Sequence, residues 1–150
     1  MNQTPWYTKA PAGSPDTYVT TRSVEFTWVN APAWIKEVLS RGIYTDSTGS
    51  LFCGHGGVLL CRIRKGFYFA VSFVGGNEKT LPAALPHDWI YVHAADLSAY
   101  YEISRREMLH IADHWFLATL RMSKWLLPST YFIAVRAFGY AFNSLMGAYK

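Results

Sequence analysis

His110 and His114 stand four residues apart, and on a helix that spacing turns both imidazoles to one face, as paired zinc ligands require. Ile111 occupies the position where a zinc hydrolase of this type carries its glutamate. The pair therefore supports only a structural ion, completed by Cys53, His55, Cys61 or His93. Cys53-Gly54-His55 keeps sulfur and imidazole close together. Cys53, His93 and either Asp88 or Asp96 also supply the residue types of a thiol nucleophile, its base and an orienting carboxylate, with Gly54, Gly56 and Gly57 as backbone donors to an oxyanion. Cys53 falls at a strand entry, however, and not at a helix N-terminus, where thiolates are stabilised. No phosphate loop, dinucleotide fingerprint or paired-carboxylate motif is present. With every set incomplete, the chemistry-bearing residues lead to the expectation of a non-enzymatic protein with no catalytic residues, no metal site and no cofactor.

What remains is a surface. Hydrophobic residues make up 51% of the 150 residues and charged residues 16%, below the usual charged share of about 25%. Six Trp and ten Tyr are residue types enriched where proteins touch other macromolecules. The net charge of +4 and pI of about 9.1 tolerate nucleic acid without requiring it.

The residues that must carry such a surface centre on 57–76, GVLLCRIRKGFYFAVSFVGG. This stretch reads as two apolar strands folded back at Lys65-Gly66, with Gly66 supplying the positive φ of a two-residue turn. That register puts Leu59, Cys61, Ile63, Tyr68, Ala70 and Ser72 on one face and Val58, Leu60, Val71 and Phe73 on the other. It also sets Arg62 opposite Phe69 and Arg64 opposite Phe67, a guanidinium over each ring. Both faces are largely apolar, so the hairpin is expected inside a sheet covered on both sides, or with one side buried against a partner.

Lys65-Gly66-Phe67-Tyr68-Phe69 resembles part of the signature of the RNA-recognition motif, a basic residue and Gly followed by aromatics. Strand, helix, strand, strand is also that family's opening order. The resemblance implies single-stranded RNA or DNA as a partner, Phe67 and Phe69 stacking on bases and Arg62, Arg64 and Lys65 meeting phosphates. Tyr68 stands where the family has Gly or Ala, and the segment 75–88, with Pro82 and Pro86, stands where it has its second helix. The run of a strand, a helix and the Gly42 turn resembles ADP-ribosyltransferases as well. Phe26-Thr27-Trp28 replaces the His or Arg that opens their site, so no residue is carried across.

Around the hairpin, residues 1–16 hold three prolines and read as an extended arm without regular structure, from which Trp6 and Tyr7 could dock on a neighbouring subunit. Residues 17–150 read as a single α+β domain. Thr17 to Val29 reads as a strand with Val24, Phe26 and Trp28 inward. Asn30 reads as the cap of a helix from Pro32 to Arg41 with Trp34, Ile35, Val38 and Leu39 on one stripe and Gly42 at its end. A polar loop over 45–50, a strand from Leu51, a loop over 75–88 and a short strand over 89–93 follow. Asp96 caps a long helix reaching toward Leu127, with Leu97, Tyr101, Met108, Ile111 and Trp115 on one face. Pro128 stops it, and Ser129 caps a last helix to about Gly147. The expected fold class is α+β: a small antiparallel sheet built on the central hairpin, packed by one short helix and a long C-terminal antiparallel helix pair.

The most hydrophobic stretch, 131–146, is interrupted by Arg136 and Asn143 and is shorter than the roughly 20 apolar residues of a membrane span. Two cysteines are too few for a disulfide framework, and no secretory pattern opens the chain, so a cytoplasmic setting is expected. The expected partner is a protein or nucleoprotein complex, with nucleic acid and a second copy of the chain as further candidates. Inhibitors of host defence complexes carried by phage or mobile elements, and small assembly subunits, resemble this profile. The contact residues expected are Arg62, Arg64, Lys65, Phe67, Phe69, Trp6, Tyr7, Arg105 and Arg106.

Overall fold

Alternation builds the larger sheet. In the strand Val24–Trp28, Glu25 and Thr27 are exposed while Val24, Phe26 and Trp28 turn inward, as a half-buried strand requires. The computed structural model describes residues 5–11, 17–70 and 81–122, and the chain divides into two compact units, Met1–Val71 and Ser72–Lys150. The fold is α+β, as the sequence predicts.

The first unit holds the strands Tyr7–Lys9 (β1), Thr17–Thr20 (β2), Val24–Trp28 (β3), Tyr44–Thr45 (β4), Gly49–Cys53 (β5), Leu59–Ile63 (β6) and Tyr68–Ala70 (β7), and the helix Ala33–Leu39 (α1). They form two antiparallel sheets, β1-β2-β7 and β3-β6-β5-β4. In the second sheet Trp28 pairs Leu59, Phe26 pairs Cys61 and Val24 pairs Ile63, with Leu51 opposite Cys61 on the far side. These residues share the inner face. The helix α1 packs on β5 and buries Ile35, Val38 and Leu39. Seven residues cannot hold a helix alone, so this burial is what forms it. Pro32, and not Asn30, occupies the N-cap, with no side-chain cap. Trp34 sits a quarter-turn off the buried stripe and stays 43% exposed.

The single strand expected over Thr17 to Val29 is two, β2 and β3, in different sheets, and three further expectations for this unit are corrected. Tyr7–Lys9 of the arm is a strand paired with β2. The expected polar loop at 45–50 is the β4–β5 hairpin, whose turn Asp46 holds by accepting from Thr48 N (2.7 Å) and Gly49 N (3.1 Å), the backbone-mimicking turn that aspartate favours. The third concerns the centre of the chain. The strands β6 and β7 stand where the hairpin was expected, but they do not pair with each other: β6 lies between β3 and β5, and β7 pairs with β2. The link between them is four residues long, Arg64 to Phe67, and its backbone is spent elsewhere. Arg64 N donates to Thr48 O (2.8 Å), Gly66 N to Thr20 O (2.9 Å) and Phe67 N to Thr20 Oγ1 (2.9 Å). The chain therefore crosses from one sheet to the other. Nor are both faces covered: Leu59, Cys61 and Ile63 are buried, while Arg62 lies exposed on the outer face with Leu60 half-buried beside it.

The second unit holds the helices Leu81–Val92 (α2), Ala94–Tyr101 (α3) and Arg105–Met122 (α4), and α2 packs on α4 as its helix pair. The loop expected over 75–88 and the strand expected over 89–93 are corrected, since 81–92 is one helix. Its buried residues include Leu81, Ala84, Leu85, Trp89, Ile90 and Tyr91 and surround its axis. A helix covered on every side shows no polar stripe. Pro82 falls in the first turn, where no intrahelical N–H is needed. The long helix expected from Asp96 is broken at Glu102, which takes the left-handed conformation at φ 56 and ψ 45. Ser104 restarts it: Glu107 N donates to Ser104 Oγ (3.1 Å), and Ser104 N to Glu107 Oε2 (2.7 Å), a reciprocal capping box. Leu97, Tyr101, Met108, Ile111 and Trp115 are buried as expected. The last helix expected, 130–147, lies outside the described residues. Ser104→Ala is expected to cost about 1 kcal/mol, read as a lowered denaturant midpoint. No helix among the described residues is long and apolar enough to cross a membrane.

Candidate functional site

Thr20 organises the turn that joins the two sheets. Its side chain is 1% exposed, and its hydroxyl donates to Arg64 O (2.9 Å) while accepting from Phe67 N (2.9 Å). Its own backbone N donates to Phe67 O (3.0 Å) and its carbonyl accepts from Gly66 N. Gly66 takes φ 93 with nothing within reach of a Cβ, so the glycine is there for its backbone conformation and not for space. On the other side Thr20 is the β-partner of Tyr7. One buried threonine thus ties the arm to the turn, two segments that sequence reasoning singled out separately.

The rings of the arm lie at the root of this turn. Trp6 stacks on Phe69 with centroids 6.0 Å apart and meets Tyr7 at 4.6 Å and Phe26 at 5.8 Å edge-on. Tyr18, the cross-strand partner of Phe69, also stacks with it at 5.8 Å and meets Tyr7 edge-on at 5.8 Å. Since Phe26 belongs to β3 and Phe69 to β7, the cluster joins the two sheets, and each such pair adds about 0.5–1.5 kcal/mol beyond its buried area.

The predicted contact residues therefore separate by role. Arg64 and Lys65 stand exposed on the turn and Phe67 is half-buried beside them. Trp6 and Tyr7 are half-buried, packed within their own chain. Phe69, expected to offer its face, is 3% exposed and stacks with both Trp6 and Tyr18. Arg62 does not rest on Phe69: it lies opposite Glu25 in the sheet and forms an ion pair with it through Nη2 and through Nε (2.7 Å). The pairing of Arg64 over Phe67 falls with the hairpin register. Arg105 is half-buried and Arg106 exposed at the start of α4, in the other unit. Tyr68, on the opposite face of its strand, is 60% exposed and was not among the expected contact residues; the expected register had set it on one face with Leu59, Cys61 and Ile63, which are buried.

The residues singled out for chemistry are placed as follows. Cys61 is fully buried, and that burial pushes its thiol far above the ordinary value, which makes it inert as nucleophile or ligand. Cys53 is half-buried with Sγ directed at Gly54 O (3.8 Å). His93 stacks on Trp89 and donates from Nδ1 to its carbonyl (2.8 Å). His110 and His114 do share a face of α4, with ring centroids 6.4 Å apart. Among the described residues no group of three or more His, Cys, Asp or Glu is placed to hold a metal ion.

Sequence reasoning missed a polar cluster between α2 and α4. His87 and Asp113 are buried, with His87 Nε2 at 3.0 Å from Asp113 Oδ1, and Tyr91 donates its hydroxyl to the same oxygen (2.7 Å). His87 and Tyr91 are four residues apart, the spacing that would have placed them on one helical face had 81–92 been read as a helix. No protein-family model, curated protein or solved structure matches the chain.

Proposed function

We propose that the chain is a non-enzymatic binding module that docks on a larger protein or nucleoprotein assembly through the turn Arg64–Phe67. The observation that supports this reading is the combination of a backbone pinned by Thr20 with two cationic side chains held in solvent at its tip. Arg62, by contrast, has its charge answered by Glu25, a surface pair worth at most about 1 kcal/mol. Arg64 and Lys65 form no ion pair among the described residues. A turn ordered before binding loses little conformational entropy on docking, and paired cations steer it to an acidic surface. An inhibitor of a host defence complex and a small assembly subunit both suit this device. Single-stranded nucleic acid suits it less, because Phe69 lacks a free face on which a base could stack.

Affinity capture from cells that express the protein tests the reading. The native chain is expected to recover a stoichiometric acidic partner, and Arg64→Glu with Lys65→Glu to weaken that binding by about tenfold or more, near 1.4 kcal/mol. Equal recovery by the doubly reversed chain would sink the proposal. A captured oligonucleotide whose affinity falls steeply with salt would replace it with the nucleic-acid reading.

A further inference from the structure

His87 lies at the contact between α2 and α4 with both ring nitrogens facing carboxylate oxygens: Nε2 is 3.0 Å from Asp113 Oδ1 and Nδ1 is 3.4 Å from Asp88 Oδ1. A neutral imidazole has one N–H and one lone pair. Either neutral tautomer would set a lone pair against a carboxylate, so both contacts are attractive only for the doubly protonated ring. Asp113 requires the same cation. Its side chain is completely buried, one oxygen takes the Tyr91 hydroxyl and His87, and the other oxygen, Oδ2, is buried with no hydrogen-bond partner among the described residues. A carboxylate so placed, without a cation, would be an uncompensated buried charge.

We infer that His87 is a proton-operated latch: doubly protonated, it ties α2 to α4 through Asp113 with both a hydrogen bond and a charge, and on losing its proton it keeps at most the hydrogen bond, so the tie weakens. The groups facing it are Asp88 and Tyr91 from α2, and Asp113 and the Phe116 ring, 5.2 Å away, from α4. Asp96 of α3 and Glu102 at its cap stand in solvent. Burial drives the pKa of His87 down, but the hydrogen bonds to Asp113 and Asp88 outweigh it, so the net direction is upward from the ordinary 6.5. A folded-state value above the unfolded one stabilises fully below the unfolded value and loses that contribution as pH rises through the folded value. The latch is therefore tight in mildly acid solution and loosens toward alkaline pH.

Nuclear magnetic resonance of the full chain carrying ¹⁵N-histidine tests this. In mildly acid solution both ring nitrogens of His87 are expected to carry protons, with a titration midpoint above the ordinary 6.5, and the thermal midpoint of the chain is expected to fall as pH rises through it. Asp88→Asn removes the outer charge only, leaves the buried contact intact and should lower the His87 midpoint. His87→Gln should abolish the alkaline fall in thermal midpoint. A midpoint at or below 6.5, or the same alkaline fall in His87→Gln, overturns the latch.

Discussion

Asp113→Ala is expected to destabilise the C-terminal helices by about 3–5 kcal/mol, the scale on which removing one partner of a buried pair strands the other. The side chain removed is fully buried and is the shared acceptor of His87 and Tyr91. Its loss leaves an imidazole nitrogen and a phenol hydroxyl facing a small void. Asp113→Asn keeps an acceptor oxygen and loses only the charge, so it should cost less. Replacing His87 and Asp113 together with leucines removes both charges, and the double change should destabilise by clearly less than the sum of the two single changes. Urea unfolding of the chain checks each value. A loss below about 1 kcal/mol for Asp113→Ala would show that the cluster is not a paired charge at all.

Thr20→Val should loosen the turn without touching a contact residue. Valine keeps the branched shape and the strand propensity of threonine but lacks the hydroxyl, so Phe67 N and Arg64 O both lose their buried partner. Two hydrogen bonds at about 1 kcal/mol each set the expected cost near 2 kcal/mol. The consequence for binding is more informative than the stability. Arg64 and Lys65 keep their charges but lose their fixed position, so affinity for the captured partner should fall, and amide exchange at Gly66 and Phe67 should quicken. Unchanged exchange at those amides would mean that Thr20 does not hold the turn.

Local patterns carried much of the fold. The alternation of β3, the buried set Leu59, Cys61 and Ile63, the stripe of α1 at Ile35, Val38 and Leu39, and the face Leu97 to Trp115 are visible as periodicity, because each element has one wet side. Where the wet side vanishes, so does the signal. Helix α2 is apolar around its axis, and Pro82 and Pro86 then dominate any reading of it. The Ser104-Glu107 box was legible, but the unbroken apolar face across it argued for one helix, and only the left-handed Glu102 separates the two. Long-range hydrogen bonding was not legible. Thr20 is 44 residues from Arg64, and nothing local says that its hydroxyl will draw the turn away from a hairpin. The candidate contact residues were found by type, and the structure sorted them by burial: Arg64 and Lys65 outward, Phe69 inward, Arg62 answered by Glu25. His87 and Asp113, 26 residues apart, could be joined only once both helices were in place.

Amide hydrogen exchange, mapped along the chain alone and then bound to the partner that the native protein captures, goes to the heart of the account. Protection on binding is expected at Arg64 to Tyr68 and in the arm around Trp6 to Lys9, with α2 and α4 exchanging as before. Protection confined to α2 to α4, with the Thr20-pinned turn exchanging at the same rate free and bound, would contradict it.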